Sequence, residues 1–70
     1  MSQSPYLITI EGELDDVTVT AFADMTVERG DGMTVLRTRA LDQAALDGVL
    51  DRLRLIGAPL VALRRSSPVS

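Results

Sequence analysis

The sequence predicts one α+β domain with the element order β-α-β-β-α-β. Three observations carry that prediction. A β-branched and aromatic run, "YLITIE", stands near the start at residues 6–11. A "GDG" at 30–32 separates two further apolar runs, and residues 42–65 read as a capped amphipathic helix followed by a strand.

Residues 6–11 are apolar on both alternating faces, the pattern of a central strand. Gly12 then permits a turn, and Asp15 or Asp16 suits the N-cap of a short helix through "VTVTAFA". Val and Thr are mediocre helix formers, so "TVTAF" also suits an extended conformation; a helix over 15–23 is the expectation. Residues 25–29 and 33–39 read as two strands, and the "GDG" between them is the small, φ-permissive set that closes a hairpin.

Asp42 stands at the next N-cap position, with Leu41 before it and Leu46 inside the helix as a hydrophobic staple. Leu46, Val49, Leu50 and Leu53 recur at helical spacing and form one apolar stripe. Gly57 sits where a left-handed C-cap belongs, and Pro59 forbids continuation. The helix is predicted over 43–56, roughly 21 Å long at about 1.5 Å per residue, with a last strand at 60–64. This order is that of the ferredoxin-like split βαβ arrangement: a four-stranded antiparallel sheet with the first and third strands central and both helices on one face. The domain is expected over residues 6–65, with disordered tails at 1–5 and 66–70.

At 70 residues the chain is close to the lower size limit for independent folding. A core of that size supplies about 3–5 kcal/mol. With no cysteine and no histidine, disulfides and thiolate or imidazole metal sites are excluded, which leaves good packing or a partner subunit. Charge is uneven: residues 1–36 hold seven acids and one Arg, net −6, whereas 37–70 hold three acids and six Arg, net +3. Such polarity suits head-to-tail association, or simple neutralisation within the fold. No apolar run is long enough to span a bilayer and the start lacks a signal-peptide pattern, so no membrane association and a cytoplasmic location are expected.

The residues for catalysis are sparse. All serines lie at positions 2, 4, 66, 67 and 70, there is no Cys, His or Lys, and Tyr6 is the only phenol; no activated nucleophile can be assembled by spacing. Glu11, Glu13, Asp15 and Asp16 are the one place for a hard cation, but their spacing matches no EF-hand loop, and capping accounts for the last two. No catalytic residue, cofactor or metal is expected. Arg37 and Arg39 share a strand face, and Arg64 and Arg65 end the last strand, a set suited to a carboxylate or phosphate. Base-stacking aromatics are absent apart from one Tyr and one Phe, so a nucleic acid is not the expected partner.

Two features point to a protein partner. The outer side of the second helix carries Ala44, Gly48, Asp51 and Leu55, a smooth and partly apolar ridge. The sheet has apolar residues on both faces while helices cover only one. Leu7, Leu36, Val61 and Leu63 are expected on the bare face, a patch that monomers avoid. Stacked through a two-fold axis, two such faces would form a homodimer rimmed by Arg37, Arg39 and Arg65.

The stretch "DQAALDGVLDRLRLIGAPLVALRR" at 42–65 resembles the end of a family of small, uncharacterised bacterial proteins common in actinobacteria. The likeness rests on Asp42, Gln43, Ala44, Ala45, Leu46, Gly48, Leu50, Arg54, Gly57, Pro59, Leu60, Arg64 and Arg65. Members carry His where Asp47 stands here, and an aromatic-rich first helix where this chain has only Phe22. The resemblance implies no catalytic residues. Gly12 and Leu14 after the first strand, with the Gly57 helix exit, are also similar to ACT regulatory domains, which implies amino-acid binding between paired subunits. The leading expectation is a non-enzymatic, self-associating protein-interaction module; the alternatives are an ACT-like ligand sensor and a small enzyme on a dimeric ferredoxin-like scaffold.

Overall fold

A computed structural model describes residues 3–66. Its elements are β1 (Tyr6–Glu11), α1 (Asp16–Thr20), β2 (Thr26–Gly30), β3 (Met33–Arg37), α2 (Gln43–Leu55) and β4 (Leu60–Arg65). The strands form one sheet in the order β2-β3-β1-β4, and every neighbouring pair is antiparallel. This is the ferredoxin-like order, with β1 and β3 central. Phe22, just after α1, and Leu46, Val49 and Leu53 of α2 join Ile8, Ile10 and Leu36 in one buried cluster, so both helical segments lie on the same face.

Local chemistry explains each boundary. Asp15 is the N-cap of α1, its carboxylate accepting from the Thr18 N–H at 2.7 Å. The helix is shorter than the expected 15–23. The Thr20 hydroxyl donates to the Val17 carbonyl at 2.6 Å, and Ala21 and Phe22 donate three residues back; a competing hydroxyl and a tightened last turn end a β-branched helix early. Phe22 then enters the core, only 1% exposed. In the hairpin, Gly30 pairs with Met33, and the two turn residues Asp31 (φ 56°) and Gly32 (φ 76°) both adopt left-handed backbone, as a type I′ turn requires.

Asp42 caps α2, accepting from Ala45 N–H at 2.8 Å. At its other end Gly57 (φ 74°) donates to the Arg54 carbonyl and Ala58 to the Leu53 carbonyl. That pair of bonds is a Schellman motif, which only a residue tolerant of positive φ closes without strain. Beyond the expected 6–65 domain, Ser4 exchanges two hydrogen bonds with Leu41, and Ser66 N–H donates to Pro5 O. Residues 1–2 and 67–70 of the expected tails lie outside the described residues.

Two placements on the bare sheet face are overturned. Leu36 does not lie on the bare sheet face: it pairs with Ile8 and is fully buried under the helices. Paired residues across a ladder share a face, so Tyr6, Ile8 and Ile10 are joined by Thr34, Leu36 and Val27 on the helix side. Leu63, paired with Ile8 on the other flank, also belongs to the helix side rather than the bare face. The cause is charge. The opposite parity would turn Arg37 into the core, whereas this one inserts only Thr34 and Thr38, whose hydroxyls each donate and accept a hydrogen bond. Thr34 donates to Gly12 O and accepts from Leu14 N–H; Thr38 donates to Arg39 O and accepts from Tyr6 N–H. Strand β3 also ends at Arg37 instead of residue 39, so Arg39 lies past the ladder.

Candidate interaction surface

Strand β4 is the least covered element of the sheet. Every one of its residues is exposed, including Leu60 (50%), Val61 (51%) and Leu63 (37%). The helices pack over β1 and β3 and leave β4 as an edge with the apolar run 60–63 in solvent. Its register with β1 shifts between Thr9 and Ile10, where Val61 is the extra residue of a bulge. The Ser66 N–H donates to the Pro5 carbonyl, just before β1. Antiparallel alternation then directs the main-chain groups of Arg64 and Ala62 toward β1, and those of Leu63 and Arg65 outward, with no strand beside them among the described residues.

Beside this edge runs one flank of α2. Leu50, Leu53, Arg54, Ala58 and Leu60 line a groove of about 210 Å³ between helix and strand. The flank also carries Gln43, whose amide donates to Asp47, and Asp51, which holds Arg54 at 3.1 Å. The ridge expected from the sequence stands above it: Ala44 and Gly48 are exposed, and Leu55 is 85% exposed. The far flank of α2 is occupied, since Arg52 lies 5.4 Å over the Phe22 ring and donates to Ala21 O.

The bare sheet face is modest by comparison. Register places Leu7 between Arg37 and Arg64, and Thr9 between Val35 and Ala62. Leu7 and Val35 are only part-exposed, and Arg37 reaches Glu28 at 3.9 Å. The expected arginine set is divided: Arg37 and Arg64 share this face, Arg65 pairs with Tyr6 on the other, and Arg39 stands outside β3. Of the seven residues expected to form an interface, Leu36 is core and Leu7 lies on the bare face. Val61 and Leu63 lie on the β4 edge, and Ala44, Gly48 and Leu55 line the α2 ridge. Leu50, Arg54, Ala58 and Leu60, outside those seven, line the groove. For Leu60 the sequence signal is an apolar run following Pro59 in what the strand order makes an edge.

The acidic cluster has structural work. Asp15 caps α1, Asp16 pairs with Arg29 at 3.0 Å, and Glu13 accepts from Gly32 N–H. Two hydrogen bonds from Thr18, hydroxyl first and backbone second, hold the Asp15 carboxyl below its ordinary range, with the Arg29 charge a smaller contribution. Among the described residues no three metal-ligating side chains gather, and no helix is long and apolar enough to cross a membrane.

Fold and surface together define a small ferredoxin-like α+β domain with one uncovered apolar edge. The chain belongs to the family described as Domain of unknown function (DUF8691), whose profile matches residues 5–64. No curated protein and no solved structure matches it.

Proposed function

We propose that the chain is a small non-enzymatic module of the cytoplasm that binds protein through the α2–β4 flank. The observation that carries this is the edge strand itself: an apolar run, unpaired main-chain groups and a neighbouring apolar groove, all uncovered. An edge of this kind is a template for strand addition, and one left unguarded is an aggregation hazard. Two points support a protein partner over a nucleic acid. Phe22 is buried and Tyr6 lies on the helix side, so neither aromatic is placed on the bare sheet to stack a base. Non-enzymatic action is supported by the absence of Cys, His and Lys and by the caps and ion pairs that engage Asp15, Asp16 and Glu13.

The test is hydrogen exchange of the isotope-labelled chain, purified and in lysate of its own host. Protection of the Leu63 and Arg65 amides, with β2 amides unchanged, is the expected result. Free exchange at both positions in every condition would dispose of the reading. An ACT-like ligand sensor is the second reading, supported by the Arg54 guanidinium in the groove lining, which already meets the Asp51 carboxylate and so suits a carboxylate. A thermal-shift screen of amino acids tests it, and one saturable shift would promote it over the first.

A further inference from the structure

We infer that the occupant of this surface is a second copy of the chain, its β4 pairing antiparallel with this β4 across a two-fold axis. This rests on the interaction-module reading and adds the partner and its geometry. The four-stranded sheet would continue without interruption into that of the second copy, and the two α2 helices would lie antiparallel above the junction.

Three observations select a copy of the same chain. The first is the main chain. A two-fold axis through Leu63 sets the outward N–H and C=O of Leu63 against the same groups of the second copy, a hydrogen-bonded antiparallel pair. Arg64 then lies opposite the small Ala62, and the Val61 bulge falls at the end of the new ladder rather than within it.

The second is the apolar surface. Leu63 and Leu60 both sit on the helix side of the edge, in register with Ile8 and Ile10. The axis brings the two Leu63 side chains together beneath the α2 flanks, next to the groove lined by Leu50 and Ala58. An isologous contact requires a patch that fits itself, and a leucine on the axis meets that condition.

The third is charge. Along the β4 flank of α2 the order is Asp47, Asp51, then Arg54, and β4 ends in Arg64 and Arg65. Antiparallel helices place the acidic half of one against the basic half of the other, Asp47 facing Arg54. A partner of uniform charge would be repelled by one half of the flank. The opposite edge, β2, has only Val27 as a large apolar residue, and its Glu28 and Arg29 are already paired with Arg37 and Asp16.

The chain has no cysteine, so single-cysteine variants report position directly. Leu63→Cys, Val35→Cys and Ala44→Cys are oxidised at tens of micromolar, with far-UV CD to verify folding and sedimentation equilibrium of the wild type in parallel. A hydrogen-bonded pair sets Cα atoms about 5.5 Å apart, within disulfide reach. The expected result is a wild-type dimer, a covalent dimer from Leu63→Cys alone, and at least a 100-fold weaker dimer in Leu63→Asp. A dimer trapped only through Val35→Cys or Ala44→Cys overturns the β4 geometry while leaving self-association standing. A wild-type monomer overturns the second copy as occupant. The interaction reading then stands or falls separately on protection of Leu63 and Arg65 in lysate.

Discussion

Ile8 and Leu36 face each other across the β1–β3 ladder, and neither exposes any surface. They are the centre of the core, with Phe22 and Val49 packed in the same cluster above them. Truncating a buried leucine removes its transfer free energy and leaves a cavity, so Leu36→Ala should cost about 2–5 kcal/mol. Its neighbour Val35, on the bare face, should cost under about 1 kcal/mol on the same change. For a domain holding only a few kcal/mol, the first variant should be largely unfolded and the second folded. Urea denaturation followed by CD checks both; equal losses would mean that the register is wrong.

That pairing also shows what the sequence held and what was misread from it. The element order, the α2 N-cap, the hairpin turn and the Gly57 exit were all legible, and the α1 cap was narrowed to Asp15 or Asp16, because each depends on a few adjacent residues whose backbone chemistry is local. The face to which β3 turns Leu36 depends on a partner strand 28 residues away in sequence, and a one-residue slip inverts it. A signal was nevertheless present. Residues 33, 35 and 37 alternate with 34, 36 and 38, and only the second set avoids burying Arg37. The second set puts two threonines in the core, and their hydroxyls find main-chain partners there. The edge surface was legible only in part, since the exposure of 60–63 follows from how far α2 reaches, which strand patterning does not encode.

Thr34 tests that accounting. Its hydroxyl donates to Gly12 O at 2.7 Å and accepts from Leu14 N–H at 3.1 Å, clamping the turn after β1. Thr34→Val keeps the volume and strands both main-chain groups, at a cost of about 1–3 kcal/mol. Thr34→Ser should retain most of the clamp. Thermal denaturation of the two variants should show Val as the worse; the reverse order would mean that packing, not the hydroxyl, dominates.

Two glycines at the same helix make opposite predictions. Gly57 holds φ at 74° to close the Schellman motif, and Gly57→Ala should cost about 1–2 kcal/mol from the left-handed backbone. A Cβ at Gly48 meets nothing within 4 Å, so Gly48→Ala should stabilise α2 by up to about 1 kcal/mol. Midpoints of urea unfolding give both signs. A loss at Gly48 that appears at high protein concentration and vanishes on dilution would point to a second copy seated on the ridge.

The Asp15 carboxyl supplies a pH signature. Its folded-state value is depressed, chiefly by the Thr18 hydroxyl and then the Thr18 N–H, so the unfolded chain binds a proton more readily than the folded one. The ionised cap therefore contributes stability above the ordinary aspartate value, and that contribution disappears as pH falls through the lowered value. Asp15→Asn keeps a competent N-cap that does not titrate. Because the site is exposed, the effect should be small and should weaken with salt. Stability of wild type and variant, measured from neutral to acid pH, should differ most near neutrality and converge in acid. Curves that stay parallel throughout would show that Asp15 is not held in its charged form by the α1 cap.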